Sequence, residues 1–302
     1  DATNASAVTG TDTDDDDGGS ASRAWTTYLQ TYMSLPADSH FVDFVDIDPS
    51  KSLSLAVVGN TRPKPTERMV RSLFERQPVE VVTGEGDGVG ELTDGDLELS
   101  GSPESAECDR VVLFDDGEIV AESPLSELEA TILHVNSDLY ITGAVDVDQI
   151  ELPDVIRGLA DTTFHVRGFP ESNSEKLPLI LISRHVERLS HEHGGTHRAS
   201  FQRLSRIHDE RGTANVYRKL GESAADIHVY GVPDWVPPRE AGLKLHGGYE
   251  VDYERTWFVV HRSEAEAAAL VAIEVGTNEW LGEWTFDRDR VEAVETAIKE
   301  NL

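Results

Sequence analysis

The sequence predicts an α+β fold, with a mixed or antiparallel sheet packed against several helices. Three patterns lead there. Short apolar, β-branched runs recur along the chain, most densely after residue 226. Longer segments repeat apolar residues every three or four positions. An Asp-Gly turn between two apolar runs signals an antiparallel hairpin.

Leu53–Val58 reads as the first strand, 62–74 as a helix with Met69, Val70, Leu73 and Phe74 at helical spacing, and Val79–Val82 as a second strand. That β-α-β order predicts two neighbouring parallel strands. Residues 83–109 then carry nine acidic residues, six glycines and no basic or aromatic residue, and read as a long acidic loop. They do not form a dinucleotide loop: Val89 stands where the third glycine is needed, and Glu85 and Asp87 would face phosphates. Residues 110–122 form the predicted hairpin around Asp115-Asp116-Gly117. Ser123 is expected to cap the next helix, with Leu125, Leu128, Ile132 and Leu133 as its buried stripe. A further helix starts near Pro153-Asp154.

Residues 177–193 read as a helix whose Leu179, Ile182, Val186 and Leu189 face the core and whose Arg184, Arg188 and His191 point away. Residues 201–207 and 215–220 read as two more helices. Strands follow at 227–230, 256–261, 269–275 and 280–286, and Asp287 caps a final helix. The division expected is an acidic disordered tail at 1–40, an N-terminal α/β subdomain at 41–150 and a core at 151–302. Met33 offers an alternative start of the chain, which would leave residues 1–32 outside the native protein.

The chain has 302 residues and a net charge of −31, with six lysines against twenty arginines. Dense carboxylate with scarce lysine is the composition of a protein adapted to high salt, where repulsion is screened within about 3 Å at 1 M. The charge argues against a general nucleic-acid surface. No stretch of about 18 apolar residues is present to insert in a membrane, and no signal peptide is evident. The single cysteine, Cys108, excludes an intramolecular disulfide and fits a reducing, cytoplasmic location.

No nucleophile elbow, P-loop or other catalytic motif is present, and Cys108 lies between Glu107 and Asp109, which disfavour a thiolate. His191, His193 and His197 are close in sequence but miss the zincin spacing, so no metal site is assigned. Residues 184–219 reverse the charge: eight basic residues against four acidic ones. Arg198, Gln202 and Arg206 would share a helical face at i, i+4, i+8. Such a cluster suits an anionic ligand or a carboxylate-rich partner. The plainer alternative is that the arginines pair internally. In the strand at 280–286, Trp280, Gly282, Trp284 and Phe286 share one face, and glycine between two indoles leaves a slot for a planar ligand. Trp257 adds aromatic surface from the neighbouring strand; ordinary packing under the final helix is the alternative.

Several runs resemble the DICT sensory domain family: Glu-Ser-Asn at 171–173, Leu-Ile-Leu-Ile-Ser-Arg-His-Val-Glu at 179–187, Ser-Phe-Gln-Arg-Leu-Ser-Arg at 200–206 and Asp-Glu-Arg-Gly-Thr at 209–213. Val-Tyr-Gly-Val-Pro-Asp-Trp at 229–235, Trp-Phe-Val-Val at 257–260 and Trp-Leu-Gly-Glu-Trp-Thr-Phe-Asp at 280–287 extend the likeness. The hairpin near 111–122 and the run at 135–143 resemble stand-alone members from salt-loving archaea. Glu283 departs from the pattern, where an aromatic residue is expected beside the tryptophans. The resemblance implies a cytoplasmic α+β sensory module that works with diguanylate cyclases, histidine kinases or response regulators, with a role in light response proposed for the family. No established ligand or cofactor carries over from it, so the cofactor is left unknown. The expectation is therefore a non-enzymatic signalling module, with a nucleotide- or chromophore-binding domain as the alternative. Its binding residues are expected to be Arg184, Arg188, Gln202, Arg203, Arg206, Arg211, Trp235, Trp257, Trp280 and Trp284.

Overall fold

A computed structural model describes residues 32–45, 51–58, 64–74, 76–83, 109–137, 151–168, 170–172 and 174–302. The tail before residue 32, most of the acidic loop with Cys108, and the run at 138–143 lie outside the described residues.

Four strands make the first sheet: β1 (Leu53–Val58), β2 (Val79–Thr83), β3 (Arg110–Asp115) and β4 (Glu118–Pro124), in the order β2-β1-β3-β4. β1 and β2 run parallel, joined through α1 (Lys64–Phe74), as the β-α-β pattern predicts. β3 and β4 form the expected hairpin, and the turn is made by Asp116 and Gly117 at φ 49° and 83°. Both turn residues are left-handed, which matches the twist of the flanking strands.

α2 (Leu125–Ser137) and α3 (Asp154–Gly158) pack on this sheet. Leu125, Leu128 and Ile132 are buried as expected, but Leu133 is 51% exposed. Ser123 does not cap α2. β4 continues through Pro124, and the Ser123 hydroxyl accepts from Val155 N at 3.2 Å, so it caps α3 instead.

The second sheet has seven strands: β5 (Phe164–Arg167), β6 (Thr196–Arg203), β7 (Asp226–Val232), β8 (Leu243–Gly247), β9 (Thr256–Arg262), β10 (Ala267–Gly276) and β11 (Glu279–Thr285). Their order is β5-β11-β10-β9-β6-β7-β8. β6, β7 and β8 are parallel to one another; β9, β10, β11 and β5 pair antiparallel in turn. Among the described residues, two mixed sheets with eight α-helices make an α+β fold.

Central to the packing is α4 (Leu177–His193). One side of it faces β9 and β10; the other meets α2 and α6. A single apolar cluster therefore runs from Leu55 and Leu113 of the first sheet, through Leu177 and Leu181, to Trp280 and Trp284 of the second. The opposite face of the seven-stranded sheet is covered by α8 (Arg288–Asn301) and by Phe41 and Val45, which pack with Phe258, Val260, Val271 and Val291. Asp287 caps α8 as expected, accepting from Arg290 N at 2.9 Å.

Residues 201–207 are not a helix. Phe201, Leu204 and Ile207 recur every third residue, yet the first belongs to β6 and the last to α5 (Arg206–Asp209). A break in the β6–β7 register between Ser200 and Arg203 separates the two, with Gln202 at φ 58°. Arg198 and Gln202 are consequently strand residues, and share no helical face with Arg206. α6 (Arg211–Glu222) covers the predicted third helix, and α7 (Val251–Arg255) precedes β9.

Candidate functional site

The parallel strands β6, β7 and β8 end at one edge of the sheet, where their crossover connections begin. Open α/β edges of this kind gather side chains from consecutive loops. Gln202 and Arg203 close β6, Arg206 opens α5, Arg211 opens α6, and Trp235 follows β7. β9 and β11 start at the same edge, which brings Trp257 and Trp280 there, with ring centroids 6.2 Å apart and planes at 83°.

These residues differ in what they can still do. Gln202 is buried and donates to the Glu254 carbonyl at 3.0 Å and to the Glu274 carboxylate at 3.2 Å, so its amide fixes the end of β6. Arg203 is 65% exposed in its side chain and lies 3.7 Å from Asp234, whose oxygens also accept from Ser205 N and Oγ. Trp235 is half-buried with its ring 5.7 Å from that of His208. Arg206 and Arg211 are exposed, and no ion pair or side-chain hydrogen bond engages either one among the described residues. Behind Arg206, Lys176 lies over the Trp280 ring at 4.7 Å and donates to Asn278 Oδ1 at 2.8 Å. Burial, then the charge of Arg206, lowers the Lys176 ammonium to about 8.

The remaining expected residues lie elsewhere. Arg184 and Glu187 are buried within α4 and bonded at 2.7 Å, because α2 and α6 cover the helix face that sequence periodicity assigns to solvent. Arg188 is mostly covered and 4.0 Å from Glu192. Trp284 is 1% exposed and stacks on Phe164 at 4.8 Å and 6°. Trp280 is also buried, at 2% exposure. No planar slot opens beside Gly282: a Cβ there would meet Leu179 Cδ1 at 2.8 Å and Ala272 Cβ at 3.0 Å. The indole face packs beneath α4, not beneath the final helix. The internal-pairing alternative thus holds for Arg184 and for Arg198, which donates to Glu295 at 3.2 Å, and not for Arg206 or Arg211.

Three polar groups have roles that the sequence reading did not assign. Glu283, the departure beside the tryptophans, faces the α8 side of β11, where it accepts from Thr163 Oγ1 at 2.8 Å and from Arg290. Alternation along β11 was the signal, since Glu283 must point away from its indole neighbours. Glu295 gathers Arg198, Arg262 and Lys299, whose hydrogen bonds offset burial and hold its carboxyl down at about 2. His197 is fully buried and joined through Ser190 to His261, at 2.8 and 3.0 Å. Desolvation keeps both rings neutral, lowering His197 to about 3 and His261 to about 4. Among the described residues no group of three or more His, Cys, Asp or Glu is arranged to hold a metal ion. Nor is any described helix long and apolar enough to cross a membrane.

Compared with known proteins, residues 154–275 match the DICT family, described as the sensory domain in diguanylate cyclases and two-component systems. That span runs from α3 to the end of β10 and includes every residue of the arginine edge except Trp280. Comparison with curated proteins and with solved structures gave no match.

Proposed function

We propose that the chain is a non-enzymatic sensory and regulatory module that docks an acidic face of a signalling partner, of the histidine kinase or response regulator kind. The match to a sensory rather than a catalytic domain supports the general role. The observation that carries the docking surface is the pair of unengaged guanidinium groups of Arg206 and Arg211, on a molecule of net charge −31. Intramolecular carboxylates are abundant, yet these two arginines are left to solvent. Guanidinium is the side chain best suited to a carboxylate through paired N–H donors. Arg203 flanks them and Trp235 supplies a rigid apolar contact, the combination that concentrates binding energy in protein interfaces.

Arg206→Glu with Arg211→Glu tests the surface. A fluorescent hexaglutamate peptide titrated at fixed salt is expected to bind the native chain and to lose at least tenfold in affinity with the double variant. The melting temperature should stay within about 2 °C, since neither side chain has a partner to lose among the described residues. Equal affinity for both proteins would sink the assignment.

A further inference from the structure

Lys176 is a half-buried cation with no carboxylate paired to it. It stands at the N-terminal end of α4, with Nζ 4.7 Å from the centre of the Trp280 ring. Its hydrogen-bond acceptor is a neutral amide oxygen, Asn278 Oδ1, at 2.8 Å. No ion pair engages it among the described residues, whereas Lys244 and Lys299 each meet a carboxylate at 2.6 Å. Glu274 stands opposite Trp280 in the β10–β11 pairing, but its two oxygens already accept from Gln202 Nε2 at 3.2 Å and from Asn278 N at 2.9 Å. Gln202 and Asn278 are both left-handed, at φ 58° and 56°. Such non-glycine positions cost energy and persist where their surroundings over-determine them. The bonds to Glu274 hold the Asn278 amide against the lysine and tie the lysine to the end of β6, four positions before Arg206.

The Trp280 indole is the second unusual group. It is buried, and its N–H finds no acceptor, although a buried indole N–H ordinarily has one. The same sheet edge carries the unengaged guanidinium groups of Arg206 and Arg211. An amine is thus gathered with donors that lack acceptors: the amine suits an electrophilic carbon, and the donors suit an anion. Burial lowers the Lys176 ammonium to about 8; the charge of Arg206 acts in the same direction, and Glu274 and Glu210 oppose it. At pH 7.5 about one Lys176 in four is then a neutral amine, against about one in a thousand for a lysine at 10.5.

We propose that Lys176 is an imine-forming amine for a small aldehyde or ketone that carries an anionic group, with the anion held by the arginine edge. The amine adds to the carbonyl carbon, the carbinolamine loses water, and a C=N bond replaces C=O, with no change of oxidation state. This goes beyond protein docking, and only the placing of the anion rests on Arg206 and Arg211 being open.

Pyridoxal 5′-phosphate is the probe, added to the native chain at pH 7.5. Borohydride then delivers hydride to the imine carbon and leaves a stable secondary amine, which peptide mass spectrometry locates. Lys176 is expected to carry about tenfold more label than any other lysine, following its larger neutral fraction. Label spread evenly over the lysines, or absent from Lys176, overturns the proposal. Pyridine-4-carbaldehyde, an uncharged aldehyde, reads the amine alone. In Arg206→Glu with Arg211→Glu, the ratio of phosphate-probe label to uncharged-aldehyde label at Lys176 is expected to fall about fivefold or more, as the paired donors for the phosphate are lost. An unchanged ratio overturns the anionic class of ligand. Hexaglutamate affinity reads the docking surface separately. A selective Lys176 adduct without hexaglutamate binding sinks docking alone, and hexaglutamate binding without that adduct sinks the amine site alone.

Discussion

Glu295 is a single carboxylate, 2% exposed, placed between Arg198, Arg262 and Lys299. Removing it strands Arg198, which is itself buried. Glu295→Ala should cost about 3–5 kcal/mol, the range for breaking a buried pair from one side. Urea denaturation measures it, and a loss under 1 kcal/mol would mean that solvent reaches Arg198 easily. The contrast with Arg206 is the useful one. Both are arginines in a basic stretch of sequence, but burial makes one a structural cation and exposure leaves the other free to bind. His185 presents the reverse case: it is buried, neither ring nitrogen has a hydrogen-bond partner among the described residues, and desolvation with Arg157 nearby lowers it to about 3. His185→Leu removes two unsatisfied polar atoms and should be tolerated at pH 7 and stabilising at pH 5.

Elements carry their own signals, and these differ in reliability. The hairpin β3–β4 depends on Asp116 and Gly117, both left-handed. Gly117→Val forces a β-branched residue to φ 83° and should destabilise by about 1–2 kcal/mol. The cap on α8 is local as well, and Asp287→Ala should cost about 1 kcal/mol, read from the melting temperature. Both features were legible because their chemistry lies within four residues. The Ser123 cap was misassigned for the opposite reason: its hydroxyl accepts from Val155 N, thirty-two positions away. The end of β6 was misread because an apolar repeat of three ran across a strand, a turn and a short helix.

The charge of the whole molecule sets how it docks. At low salt, a net charge of −31 repels any acidic partner before the arginine edge can engage it. At high salt the long-range repulsion is screened, and so in part is the contact itself. Affinity for hexaglutamate should therefore pass through a maximum as salt rises; a steady decline from the lowest salt would show that the edge field dominates at every distance. Stability follows the buried histidines. His185, His197 and His261 stand at about 3, 3 and 4 in the folded chain against 6.5 for an unperturbed histidine side chain. The unfolded chain takes up protons that the folded chain refuses, so stability is full above pH 6.5 and falls as pH drops toward 4. Each group contributes a slope of about 1.4 kcal/mol per pH unit in that window. Urea midpoints between pH 7 and 4.5 measure the slope. Glu295, held at about 2, loses its contribution only as pH falls through 4.5 toward that value.

Local order was written in the chain itself: the β-α-β opening, the hairpin, the apolar stripe of α4, the late strands, the cap at Asp287 and the basic stretch at 184–219. Backbone propensity and spacing act over a few residues, so they can be read without a fold. Which arginines remain open was decided only by tertiary structure. A helix with one apolar stripe looks half-exposed in sequence, but α4 is covered on both sides, which turns Arg184 inward. The tryptophan slot closed for the same reason, because Leu179 of α4 fills the space that Gly282 leaves. The hydrogen-bonded contacts of Tyr217, His197, Ser190 and His261 could not be foreseen either, since these residues come from α6, β6, α4 and β9 and meet only when those layers pack.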